Sequence, residues 1–66
     1  MLRIVLLNRE KKEVAEFTVV DEKQKRDLAE ATCVKVNDRY FSYHVMRHAR
    51  MTIEFIECNP PLEIVR

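Results

Sequence analysis

The sequence predicts a mainly β domain, either a five-stranded antiparallel curved meander or a small SH3-like barrel, with one short helix or long loop between strands 2 and 3. Three observations carry this. Short runs rich in β-branched and aromatic residues recur along the chain, and most of them alternate apolar with polar positions. One charged stretch, Asp21 to Ala31, has no β-branched residue and separates the second run from the third. The 66 residues include no glycine, so the turns fall to Asn8, Asn37, Asp38 and Asn59, residue types that tolerate positive φ.

Leu2 to Leu7 is an apolar run of strand length, and Val14 to Val20 resumes it after the polar residues Asn8 to Glu13. The two read as a hairpin in which Leu2, Ile4 and Leu6 meet Ala15, Phe17 and Val19. Asp21 is a favoured helix N-cap, and Gln24, Leu28 and Ala31 share one face of the helix it would start. Only Leu28 is large, so such a helix is a light cover. Thr32 to Val36 returns to alternation, and a two-residue Asn37-Asp38 turn sets Val36 opposite Arg39 and Val34 opposite Phe41. That register points Val34, Phe41, Tyr43 and Val45 inward, with Lys35, Tyr40, Ser42, His44 and Met46 outward. Arg47 to Arg50 forms the next turn, and the final alternating run sends Met51, Ile53 and Phe55 inward. Pro60 and Pro61 stop it, leaving Leu62 to Val65 as an edge strand or a docked arm.

The length fits one small domain spanning residues 1–66, with a single core and a slim stability margin to which a second copy or a partner would add. The formal charge of +1 gives no global pull towards nucleic acid or membrane. No apolar run approaches the length of a membrane span, and Met1-Leu2-Arg3 lacks the zones of a signal peptide, so a cytoplasmic home with Cys33 and Cys58 reduced is expected. Without glycine there is no dinucleotide or Walker loop, and no small-molecule cofactor is expected.

The simple two-faced picture strains at Val5, Leu7, Val14, Val20 and Ile56, which all fall on the nominal solvent face. The helix and the C-terminal arm would cover them, or a protein would. The leading expectation is therefore a non-enzymatic binding module acting through protein contact, as a homodimer or as an accessory, adaptor or inhibitor subunit. Small bacterial and phage reading frames share this layout, a likeness of architecture that carries no activity.

The competing expectation is a nucleic-acid surface built from Arg39, Tyr40, His44, Arg47, His48 and Arg50, because residues 39–50 mix basic and aromatic side chains with no acidic one. Cys33, His44, His48 and Cys58 are types that zinc accepts. Four residues along a strand span roughly 13 Å, too far for His44 and His48 to share an ion, and the cysteines lack close pairing, so no metal is expected. No serine or threonine stands in a recognisable nucleophile turn, so no catalytic residue is assigned.

Overall fold

The computed structural model describes residues 1–60. Strands β1 (Leu2–Leu7) and β2 (Glu13–Val19) precede helix α1 (Glu22–Ala29), and β3 (Cys33–Val36), β4 (Arg39–Arg47) and β5 (Thr52–Cys58) follow it. The domain is mainly β, and its described residues form the five strands and one short helix that the sequence predicts, curled into a half-barrel. The strands lie in the order β2-β1-β5-β4-β3. The sheet is mixed, because β1 and β5 run parallel with Ile4 beside Ile53 and Leu6 beside Phe55. The cause is α1, which carries the chain from one edge of the sheet to the other. β2 and β3 therefore never pair, and the β3-β4-β5 meander returns to lay its last strand along the first.

The first hairpin has the expected register, Leu2 opposite Val19, Ile4 opposite Phe17 and Leu6 opposite Ala15. Its loop is organised by Asn8, whose Oδ1 accepts from the backbone N–H of Glu10 at 2.9 Å and of Lys12 at 3.0 Å. Lys11 takes the left-handed conformation that this short connection needs, at φ 67°. Asp21 caps α1 by accepting from the Gln24 N–H at 3.0 Å, and Leu28 and Ala31 lie against the core. Asn37 and Asp38, at φ 49° and 64°, form the two-residue turn that sets Val36 against Arg39 and Val34 against Phe41.

The inner face of the sheet carries the core of Leu2, Ile4, Leu6, Phe41, Ile53 and Phe55. Tyr43 stands edge-on to Phe55, with ring centroids 6.3 Å apart at 84°. Past Tyr43 the expected alternation fails. A register shift between Tyr43 and Val45 leaves His44 without a partner on β5 and brings Met46 opposite Ile53. Met46 therefore packs on the core while Val45 turns to the other face, the reverse of the expectation. One extra residue in a strand exchanges the faces of everything after it. Met51 is also not core: it ends the β4–β5 turn and is 54% exposed. In that turn His48, Ala49 and Arg50 all have positive φ, at 55°, 54° and 73°. The expected strand or arm at Leu62 to Val65 lies outside the described residues. Among the described residues no helix is long and apolar enough to cross a membrane.

Candidate protein-contact surface

Because the sheet curls without closing, its inner face opens as a trough between the two edge strands. The trough has a volume of about 520 Å³. Ile4 and Leu6 form its floor, Phe17 and Val19 one wall, Val34 and Val36 the other, and Leu28 of α1 lines it as well. Gln24, Asp27 and Lys35 also line it.

The two walls differ as strand edges. The Arg3 N–H donates to the Met51 carbonyl at 2.8 Å, so the main chain of Arg3 faces β5. By alternation Leu2, Ile4 and Leu6 face β2, and their partners Val19, Phe17 and Ala15 face back. The N–H and C=O groups of Glu16 and Thr18 consequently point away from β1, towards the side where no described strand lies. On the opposite wall the Tyr43 N–H donates to the Thr32 carbonyl at 2.9 Å, which turns Val34 and Val36 towards β4 and the main chain of Cys33 and Lys35 outward. β3 has only four residues and carries a lysine, two features that protect an edge. β2 has seven residues with neither lysine nor proline, and Phe17 in its centre is 46% exposed.

The expected contact set divides. Val5 and Leu7 sit on the outer face but are buried, Ile56 is half-buried, and Val14 and Val20 are exposed at 42% and 70%. Val14 lies on β2 and Val20 directly follows it, so both belong to the edge and not to a patch shared with Val5, Leu7 and Ile56. Sequence reasoning missed Phe17, which it placed in the core opposite Ile4. Nothing in the residue pattern marks β2 as an edge strand among the described residues.

The basic and aromatic set does not form one surface. Arg39 shares the inner face with Phe41, lies 5.6 Å from its ring centre, and is held by Glu57 through bonds of 2.8 and 3.0 Å. Tyr40 is half-buried on the outer face with the Lys35 ammonium 5.7 Å from its ring centre. Arg47 donates to Glu54 at 2.9 Å. His44 is exposed at the bulge, and His48 and Arg50 are exposed in the β4–β5 turn. Two of the three arginines are thus already matched by carboxylates.

Charge on the edges is local. Arg3 pairs with Glu16 across β1 and β2. That hydrogen bond holds the Glu16 carboxyl below its usual range, and Arg39 does the same to Glu57. Cys33 and Cys58 are free thiols on the outer face, flanking β4 opposite Ser42 and Tyr40. Desolvation, and then the neighbouring Cys58, push the Cys33 thiol up, away from the reactive thiolate form. Among the described residues no three histidine, cysteine or acidic side chains converge on a metal position.

No family model matches the chain, and neither the curated proteins nor the solved structures give a match.

Proposed function

We propose that this chain is a non-enzymatic protein-binding module of the cytosol, in which the open trough receives an apolar segment of another protein. The observation that carries the reading is the combination in one place of an apolar floor, Ile4 and Leu6, with two strand edges that are unpaired among the described residues. Apolar side chains alone suit many ligands. Free main-chain donors and acceptors beside them suit an extended polypeptide, which fills the floor with alternate side chains and bonds to the edge with its backbone. Arg39 and Arg47, already paired with carboxylates, leave a phosphate backbone less to bind, which favours the protein reading over nucleic acid.

The test is selection of peptides from a random display library, followed by mapping of the bound site by amide chemical shifts. Shifts centred on Phe17, Leu28, Val34 and Val36, with an affinity that changes little with salt, support the reading. Failure to select any peptide, together with oligonucleotide binding that falls steeply as salt rises, replaces it with the nucleic-acid function.

A further inference from the structure

We infer that the exposed edge of β2 pairs with the β2 of a second copy, in an antiparallel register centred on Phe17. This rests on the protein-contact reading above and names one partner for it. The residue order around Phe17 is self-complementary, reading Val14, Ala15, Glu16, Phe17, Thr18, Val19, Val20. A two-fold axis at Phe17 sets Phe17 against its own copy, Ala15 against Val19 and Glu16 against Thr18, all within the regular part of β2. Phe17, the exposed aromatic residue at the centre of this edge, is thereby matched with its own copy.

The backbone accommodates the same register. Glu16 and Thr18 are the residues whose main-chain groups face outward, and a centre on Phe17 makes them the hydrogen-bonded pairs, giving four bonds across the axis. Phe17 then falls at a non-hydrogen-bonded pair, where side chains approach most closely and an aromatic pair is favourable. A centre on Glu16 would instead set two carboxylates directly opposite. With Phe17 at the axis each Glu16 faces a threonine and keeps its own Arg3. β3 offers no equivalent, since its four residues carry Lys35 outward. Pairing at β2 also joins the two troughs along one wall into a continuous sheet.

The experiment is light scattering over a concentration series on the unmodified chain, on Thr18→Pro and on Phe17→Lys, with circular dichroism on each. Thr18→Pro removes an outward N–H and leaves the β1 ladder intact, while Phe17→Lys brings two ammonium groups together at the axis. The expected mass is twice that of one chain, returning to one chain in both variants. Amide exchange on the unmodified chain, which needs no variant, should show Glu16 and Thr18 protected increasingly with concentration. A single-chain mass at every concentration overturns the inference, as does a dimer that leaves these two amides unprotected. A monomer that still binds selected peptides overturns only the dimer, and a monomer that binds none removes the trough reading with it.

Discussion

Replacing Ala49 with glycine should stabilise the protein, although glycine elsewhere in a hairpin weakens it. Ala49 is exposed, sits at φ 54° between His48 and Arg50, and loses one methyl group on substitution. An L-residue in the left-handed region is disfavoured by roughly 1–2 kcal/mol. Glycine escapes that strain but loses more freedom on folding, about 0.5–1 kcal/mol relative to alanine. The difference leaves a net gain of about 0.5–1 kcal/mol. In a domain of this size that corresponds to a rise of about 2–8 °C in Tm. Thermal and urea unfolding followed by circular dichroism measure it. Ala15→Gly is the internal control, because Ala15 is extended, half-buried and packed on the core, and there the same exchange should cost about 1 kcal/mol or more. Equal destabilisation at both positions refutes the reasoning, since it would mean that the backbone of this turn is not left-handed.

Two phenylalanines of the inner face, Phe55 and Phe17, should separate by the same kind of measurement. Phe55→Ala, from a site with no exposed surface, should cost about 3–5 kcal/mol in urea unfolding, enough to unfold much of a domain this small, whereas Phe17→Ala should cost well under half of that. Asn8→Ala leaves the N–H groups of Glu10 and Lys12 without their acceptor and should lower stability by about 1 kcal/mol, read from the urea midpoint. Acid should destabilise the fold through Glu16 and Glu57, whose folded-state titration lies below the ordinary value of 4.5. Their contribution is complete above that value and is lost as pH falls through the lowered one. Urea unfolding across the acid range should therefore show a shallower loss in Arg39→Gln, which releases Glu57.

How much of this was legible in the sequence depends on whether a feature is local. The Val34–Phe41 register follows from a two-residue turn joining two alternating runs, and the meeting of Leu2, Ile4 and Leu6 with Ala15, Phe17 and Val19 follows from two β-prone runs joined by a polar loop; both are found. The cap at Asp21 and the left-handed Asn37-Asp38 turn are equally local. The face exchange at Val45 and Met46 was hidden because the bulge at His44 is fixed by the pairing of β4 with β5, and no residue type announces it. The parallel neighbours β1 and β5 were hidden for a related reason. Strand order depends on which edge the chain reaches after α1, a matter of how the helix lies on the core. The edge position of Phe17 follows from that order. Residues such as Val5 and Leu7 were read as spare apolar surface because an interior strand buried on both faces does not alternate.

The pairing of β1 with β5 also sets when the protein can fold. Ile4 finds its neighbour in Ile53, 49 positions later in the chain. At a synthesis rate of about 5–20 residues per second, the first hairpin, complete at Val19, waits roughly 2–7 s before that neighbour exists. During this interval Leu2, Ile4 and Leu6 have only β2 beside them, and the apolar face they form is open to other chains. The sheet is therefore completed only once β5 has been made, and a nascent chain that stalls before Phe55 leaves this apolar face uncovered.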